Sequence, residues 1–238
     1  VEKPVVANRE ELDAVESTLA SSDYSSATMV GCNLRFLPSL RQVRDIVAAG
    51  DIGRVVRAHF EAGQWLPDWR PGRDYLASYS ADASRGGGVV LDLIHELDAA
   101  RWLLGDFTRV QADLGRRSHL GLSSEDVAGI LLSSADGPMA TVALDYVSRA
   151  PVRRYTLVGD EATLEWDLSS KTVARIAQAG REVLPELPHG FDVGRTYIEA
   201  MQEFLVAVET KGSTSQPLSE GLASLDLALT VKESANKW

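Results

Sequence analysis

The feature that most constrains the fold is a helical segment, residues 88–104, with apolar side chains around nearly its whole circumference. Leu91, Trp102 and Leu103 lie outside its main apolar stripe, a pattern typical of a helix buried inside a domain. Gly105 follows at the position where a glycine commonly ends a helix. The chain must therefore build a core around this segment. At about 100° per residue, the main stripe consists of Val90, Leu93, Ile94, Leu97, Ala100 and Leu104.

Three ionisable residues interrupt this apolar segment: Asp92, His95 and Asp98. Neighbouring pairs are three positions apart, which brings their side chains within reach of each other on a helix. A buried charge needs a partner or a function. A carboxylate beside a histidine raises the pKa of the imidazole and orients the ring, which suits His95 to proton transfer near neutral pH. The alternative is a histidine held by two acids for structural reasons, and periodicity alone favours neither interpretation.

Composition excludes two classes of partner. The 238-residue chain has a net charge of −10 at pH 7, whereas nucleic acids and anionic membranes are bound through clustered Lys and Arg. No apolar run approaches the ~18 residues of a membrane span, and no signal sequence opens the chain. The single cysteine, Cys32, can form no internal disulfide, which favours a reducing compartment. We therefore expect a cytoplasmic protein that binds neither nucleic acid nor membrane.

The order of segments predicts an α+β fold with a large, mostly antiparallel β-sheet and helices packed on one face. Helices at 38–49 and 88–104 would cover that face, and a second copy of the chain would cover the other, giving a homodimer or homotetramer. Further helices are predicted at 7–20, 193–210 and 219–234, the last two as packing elements. Strands are predicted at 29–32 and 55–65, followed by an antiparallel meander of 109–113, 127–133, 139–146, 155–159, 162–166 and 172–177.

Residues 66–85 show neither helical nor strand periodicity. A loop this long inside a domain is usually functional or disordered. Its aromatic rings and guanidinium groups suit a sugar ring and a phosphate or carboxylate group. The alternative is a lid whose tryptophans pack against the sheet. The candidate residues are Trp69, Arg70, Arg73 and Tyr75.

Several motifs together resemble the Gfo/Idh/MocA family of NAD(P)-dependent oxidoreductases. The glycines 86–88 lead into Asp-x-x-His-x-x-Asp and then Arg-Trp-Leu-Leu-Gly at 101–105, as in the catalytic helix of that family. Val1-Glu2-Lys3-Pro4 resembles its Glu-Lys-Pro motif. The stretches 30–36 and 50–55 resemble the segment that leads from the family's cofactor domain into its second domain. These matches span residues 1–105 in the family's order.

The chain departs from the family at one spacing. The family more often separates the helix aspartate from the histidine by four positions, whereas Asp92 and His95 are three apart. His95 and Asp98 keep the family's register, and Asp92 does not.

The resemblance also implies roles for named residues. Lys3 and His95 would transfer the hydroxyl proton of the substrate, and Asp92 or Asp98 would orient the His95 ring. The Lys3–Pro4 peptide bond could be cis. Glu2 and Lys3 would border the cofactor. Expected substrate contacts are Arg35, Trp69, Arg70, Arg73, Tyr75 and Asp98.

The implied function is the C-terminal, substrate-binding part of a dehydrogenase that acts on a sugar, a cyclitol or a sugar derivative carrying an anionic group. Residues 1–35 would be the end of the cofactor domain and residues 36–238 the substrate-binding and oligomerisation domain. The Rossmann domain that binds NAD or NADP would belong to a longer parent protein, so the chain is expected to be truncated and catalytically incomplete.

Two alternatives remain open. One is a non-catalytic ligand-binding or dimerisation module. The other is a metal-dependent lyase or hydrolase with Asp92, His95 and Asp98 as ligands, which is weaker because three ligands on successive turns of one helix face one ion poorly. His59, His119 and His189 lack metal-ligand spacing, and we expect no metal site.

Overall fold

A mixed sheet and the helices packed on one of its faces account for residues 1–235, the part that the computed structural model describes. The helices are α1 (Arg9–Ala20), α2 (Pro38–Ala49), α3 (Val89–Asp92), α4 (Ile94–Leu104), α5 (Val193–Thr210) and α6 (Leu218–Ala235). The strands are β1 (Val55–Gly63), β2 (Arg109–Gly115), β3 (Val127–Ser133), β4 (Met139–Asp145), β5 (Val152–Gly159), β6 (Thr163–Asp167), β7 (Thr172–Ala177) and β8 (Gly180–Val183).

The strand order in the sheet is β2-β3-β4-β1-β5-β6-β7-β8. The predicted large and mostly antiparallel sheet is confirmed, but the uninterrupted meander is wrong. β1 lies between β4 and β5, parallel to β4 and antiparallel to β5. A parallel pair requires a long crossover connection, and the periodicity of single strands carries no information about such a non-local pairing.

A row of three aromatic rings fixes the register of β1, β5 and β6. Phe60 pairs with Tyr155, and Tyr155 pairs with Trp166, with ring centroids 4.8 and 4.7 Å apart. Each such contact contributes about 0.5–1.5 kcal/mol beyond burial of its area. The indole Nε1 of Trp166 donates to Ser39 Oγ at 2.9 Å, which ties α2 to the sheet.

The single helix predicted for residues 88–104 is two helices. Leu93, at φ −98° and ψ 32°, separates α3 from α4. In a continuous helix the carbonyl of Asp92 would accept the amide of Glu96. Here that amide bonds to Leu93 O at 3.2 Å, and Asp92 O accepts the Lys3 ammonium instead. The break turns Asp92 relative to His95, so their three-residue spacing does not place them as helix neighbours.

Three local features differ from the sequence prediction. Residues 29–32 form no strand, because the amides of Val30 and Gly31 bond to Gln216 O and Val1 O and the amide of Cys32 turns back to Val30 O, which leaves no ladder. β8 is exposed along its length, so its sequence lacks the alternation of apolar and polar residues that predicts a strand. The loop 66–85 contains four short 3₁₀ turns.

The last two helices differ in their packing. α6 is buried against α4 and β2, as predicted. α5 is held mainly through the 3₁₀ turn Asn33–Phe36, where Asn33 Nδ2 donates to Thr196 Oγ1 at 2.8 Å. Its apolar residues point away from that contact, so the prediction of a packing helix is wrong for its apolar stripe. More than half exposed are Tyr197, Ile198, Met201, Leu205, Val206 and Val208.

Residues 1–35 contribute one helix and two extended segments. Asn8 Oδ1 accepts the amide of Glu11 at 2.9 Å and caps α1. Arg9 then binds Asp226 and Glu233, which holds α1 against α6. Among residues 1–235, no helix has both the length and the hydropathy of a membrane span.

Candidate active site

Lys3 reaches the break between α3 and α4. Its Nζ donates a hydrogen bond to the carbonyl oxygen of Asp92, and the Lys3–Pro4 bond is cis. Burial lowers the pKa of the Lys3 ammonium, while the carboxylates of Asp92 and Glu96 oppose part of this shift. The ammonium therefore gives up its proton more readily than a solvated lysine does.

His95 lies in the first turn of α4, close to Lys3. Burial lowers its pKa well below the usual value for imidazole, and the positive charges of Lys3 and Arg153 lower it further. The sequence predicts the opposite, a raised pKa, and is wrong because burial and two nearby positive charges act on the imidazole, and no carboxylate offsets them. His95 Nδ1 is buried and has no hydrogen-bond partner among residues 1–235. The ring is therefore neutral at pH 7, a weaker base than a solvated imidazole, and one of its nitrogens keeps a lone pair that can accept a hydrogen bond.

Two tyrosines lie near the carboxylate of Asp92. The hydroxyl of Tyr146 donates to Asp92 Oδ2 at 2.6 Å, and burial together with Asp92 raises the pKa of Tyr146. Burial and a hydrogen bond to Asp92 also raise the pKa of Tyr79 to about 12. Sequence reasoning missed both residues. Tyr146 continues the inward alternation of β4, which could have identified it, whereas Tyr79 lies in the irregular loop and had no such signal.

A second buried charge pair lies behind His95. Glu96 is fully buried, Arg153 Nε is 2.7 Å from its Oε1, and the hydroxyl of Tyr155 donates to the same oxygen at 3.1 Å. Sequence reasoning missed this pair, although an acid within an all-apolar helix is itself a signal. Arg153 neutralises Glu96 and contributes to the low pKa of His95.

Arg35 and Asp98, both predicted to contact substrate, bind each other. Arg35 Nε and Nη2 donate to the two Asp98 oxygens at 2.8 and 2.5 Å, and Ser224 Oγ donates to Asp98 Oδ1 at 2.7 Å. Burial opposes the charge of Arg35, but the hydrogen bonds to Asp98 outweigh this effect and raise its pKa. Both side chains are at most 6% exposed. Because Arg35 and Asp98 are buried and use their polar atoms to bind each other, neither belongs to the proposed substrate site.

The predicted loop residues surround a cavity of about 430 Å³. Its lining includes Trp69, Arg70, Arg73 and Tyr75, together with Tyr79. The ring of Trp69 meets that of Tyr146 edge-on, with centroids 5.2 Å apart, and Tyr75 donates to Leu120 O at 3.2 Å. These two contacts, one from Trp69 and one from Tyr75, hold the loop against the rest of the domain and leave the cavity open. Through Tyr79, the cavity adjoins the cluster of Asp92, Lys3 and His95.

A comparison with protein-family models agrees with this fold. The family model for the GFO/IDH/MocA C-terminal domain matches residues 40–165, more than half of the chain. The chain belongs to the Gfo/Idh/MocA family. By this resemblance it is a member of a family of NAD(P)-dependent oxidoreductases.

Individual members of the Gfo/Idh/MocA family match nearly the whole chain. An uncharacterized oxidoreductase, YrbE, of Bacillus subtilis is 28% identical over 98% of this chain and 67% of its own length. Inositol 2-dehydrogenase of Rhizobium meliloti is 27% identical over 95% of this chain and 68% of its own length. The solved structure of a levoglucosan dehydrogenase in complex with NADH and levoglucosan has the same fold, with a TM-score of 0.82, 22% identity and coverage of 99% and 70%.

The described residues fit one end of the cofactor that the Gfo/Idh/MocA family uses. The buried, unpartnered Nδ1 of His95 and the desolvated Lys3 are suited to the rim of a nicotinamide site. The glycine run is unsuited to a diphosphate, because a Cβ at Gly87 would overlap the carbonyl of Tyr79 and one at Gly88 would overlap Glu125. The glycine run at 86–88 therefore does not form a diphosphate cradle.

The remaining histidines are separate from this cluster. His59 Nδ1 is 2.8 Å from Thr141 Oγ1 on the outer face of the sheet, His119 packs near Trp65, and His189 is 3.9 Å from Asp192. Within the described part of the chain, no three His, Cys, Asp or Glu side chains are placed to hold a metal ion.

We expect acid to destabilise the chain through His95. Its folded-state pKa lies below the unfolded value of about 6.5, so below that pH the unfolded state binds a proton that the native state does not, and stability falls by about 1.4 kcal/mol per pH unit. Urea unfolding at pH 6.5 and 5.5 should show this loss reduced in His95→Gln. His59→Gln, on the outer face, is the control. Equal pH slopes in all three proteins would contradict the assignment.

Proposed function

We propose that the chain provides the substrate site of an oxidoreductase that transfers hydride between NAD(P) and a carbinol carbon of a sugar, cyclitol or sugar derivative. The observation that carries this proposal is the position of Lys3 Nζ on the carbonyl of Asp92 at the start of α4, the helix that carries His95, near a cavity lined by aromatic residues and arginines. The names of two relatives, inositol 2-dehydrogenase and levoglucosan dehydrogenase, support it.

The roles of the residues follow from the chemistry of the hydroxyl group. During oxidation the carbinol carbon loses hydride while its hydroxyl loses a proton, and NAD(P), when bound, accepts the hydride. Neutral His95 and Lys3 accept and pass on that proton, and they return it during reduction. Asp92 is a positioning residue, since its carbonyl holds Lys3 Nζ and its carboxylate holds the hydroxyl of Tyr146.

The loop cavity is the proposed site of the substrate. Its volume of about 430 Å³ lies within the range of about 300–1,000 Å³ typical of small-molecule sites. Trp69 and Tyr75 offer apolar faces to the C–H groups of a sugar ring, and Arg70 and Arg73 offer donors to its oxygens.

We further propose that residues 1–35 belong to the end of a cofactor domain and residues 36–238 to the substrate domain. About a third of the length of the relatives has no counterpart in this chain, which leaves room for a dinucleotide-binding domain. The exposed apolar stripe of α5 is a suitable surface for that domain. Glu2 and Lys3 would then lie beside the nicotinamide.

A cofactor titration tests this division. The 238-residue chain should show no saturable change in tryptophan fluorescence with NADH or NADPH up to about millimolar concentration, because its glycine run at 86–88 does not form a diphosphate cradle. The complete protein that carries this chain should bind one of the two and reduce it with a sugar or cyclitol, followed by absorbance. Micromolar binding by the chain would contradict the division into domains, and binding without turnover on any carbohydrate would contradict the activity.

One observation favours oligomerisation through the outer face of the sheet. On β3 and β4 most of the outward-facing residues are small or apolar and at least partly exposed, among them Gly129, Leu131, Thr141 and Ala143. A sheet with one face left apolar is commonly covered by another layer. We propose that a second copy of this chain provides it in a two-fold symmetric pair.

Light scattering on a size-exclusion column should give the mass of a dimer or tetramer. Leu131→Lys should lower that mass, because it would place two like charges near the centre of a two-fold interface. Met201→Lys, on the exposed stripe of α5, should leave it unchanged. A monomeric parent chain, or dissociation by Met201→Lys alone, would show that the sheet is not the interface.

A further inference from the structure

Three guanidinium groups of the loop cavity lack a carboxylate partner. Arg70, Arg73 and Arg85 all line the cavity. Arg35 and Arg153 are paired with buried acids, but none of the three forms an ion pair within residues 1–235. The one acid in the lining, Asp74, uses its carboxylate to accept the amide of Leu76 at 2.9 Å. The cavity therefore has an excess of positive charge.

This local charge is opposite in sign to that of the whole protein. The chain carries a net charge of −10, so its general field repels anions. A concave site with three unpaired guanidinium groups focuses a positive potential in one place. Arginine is also the residue best shaped to bind carboxylate or phosphate through two parallel hydrogen bonds.

The positive end of the cavity is connected to the proton-transfer residues. The guanidinium of Arg70 lies 5.7 Å from the centroid of the Tyr79 ring. Tyr79 lines the same cavity, the carboxylate of Asp92 is near enough to raise the pKa of its hydroxyl, and Asp92 O accepts a hydrogen bond from Lys3 Nζ. A ligand whose anionic group binds the arginines would thus extend its hydroxyl groups toward Lys3 and His95.

We propose that Arg70 and Arg73, with Arg85, bind the carboxylate or phosphate group of an acidic carbohydrate, whose hydroxyl is the one presented to Lys3 and His95. This inference rests on the proposed function and specifies its substrate class. It assigns Arg70 and Arg73 to specificity, because they would contact a group remote from the reacting carbon. It also adds Arg85, which the sequence did not single out.

Calorimetric titration of the chain at constant ionic strength tests the proposal, with D-glucuronate, glucose 6-phosphate and D-glucose as probes. At least one of the two anions should bind ten times more tightly than glucose. Arg70→Gln/Arg73→Gln should weaken the binding of that anion by a factor at least ten times larger than the factor by which it weakens the binding of glucose. Arg57→Gln, an exposed arginine on the outer face of the sheet, is the control for loss of charge, and circular dichroism checks that each variant is folded.

The two anions distinguish a carboxylate ligand from a phosphate ligand. Preference for glucuronate assigns the site to a carboxylate, and preference for glucose 6-phosphate assigns it to a phosphate. Equal affinity for all three probes, including no measurable binding of any, would overturn the proposal, as would an equal loss in Arg57→Gln. The titration needs no cofactor. Turnover of neutral sugars alone would therefore refute only the anion site, and anion binding without turnover in the complete protein would refute only the proposed function.

Discussion

His95→Asn in the complete protein should lower kcat for carbohydrate oxidation by about 10²–10⁴-fold, the usual contribution of a positioned general acid or base. The neutral ring of His95 is a proton acceptor close to Lys3, and Asn has no basic nitrogen. KM should change little, because the side chain acts on the reacting hydroxyl rather than on the rest of the sugar. Steady-state measurements of kcat and KM with NAD(P) reduction as the readout check this result.

Matched variants separate proton transfer from charge and from structure. Lys3→Arg keeps a positive charge but cannot release its proton near neutral pH, so it should be as impaired as Lys3→Met. His59→Asn should retain full activity, since His59 is on the outer face of the sheet. If His95→Asn retained nearly all turnover, the catalytic assignment would be lost. If Lys3→Arg retained it, Lys3 would act only as a charge.

Local patterns predict most of the fold because they depend on residues near one another in sequence. The bounds of α2, α5, β3 and β7 agree with the periodicity of their side chains. Non-local features follow a different logic. The insertion of β1 between β4 and β5 depends on a pairing across 75 residues of intervening chain, for which no local signal exists.

The candidate site likewise depends on non-local contacts that local sequence patterns do not predict. Spacing singles out Asp92, His95 and Asp98, but it cannot assign their partners. Asp92 binds Tyr146, and Asp98 binds Arg35, through contacts made by distant parts of the chain. At the helix break, Lys3 donates to the carbonyl of Asp92, which would accept from Glu96 in a continuous helix. A tertiary hydrogen bond thus accompanies a geometry that a regular helix would not predict.

Asp98→Ala should reduce the free energy of unfolding by about 3–5 kcal/mol, the typical cost of leaving one charge of a buried pair without its partner. Arg35 is 6% exposed and loses two hydrogen bonds, although Glu220 at 3.2 Å still offsets part of its charge. Urea unfolding of the 238-residue chain measures the effect. Asp160→Ala is the matched control, because its partner Arg54 is three quarters exposed and such pairs contribute at most about 1 kcal/mol.

The double variant Arg35→Met/Asp98→Leu should be more stable than Asp98→Ala, because it removes both buried charges and keeps most of the apolar volume. Its stability distinguishes a structural pair from a substrate site. If Asp98→Ala unfolded at the urea concentration of the parent chain but raised KM in the complete protein, Asp98 would contact substrate after all. If the single variant is destabilised and the double variant recovers, the pair holds α4 and α6 to the Asn33–Phe36 turn, and the substrate site is confined to the loop cavity and the cluster around Lys3.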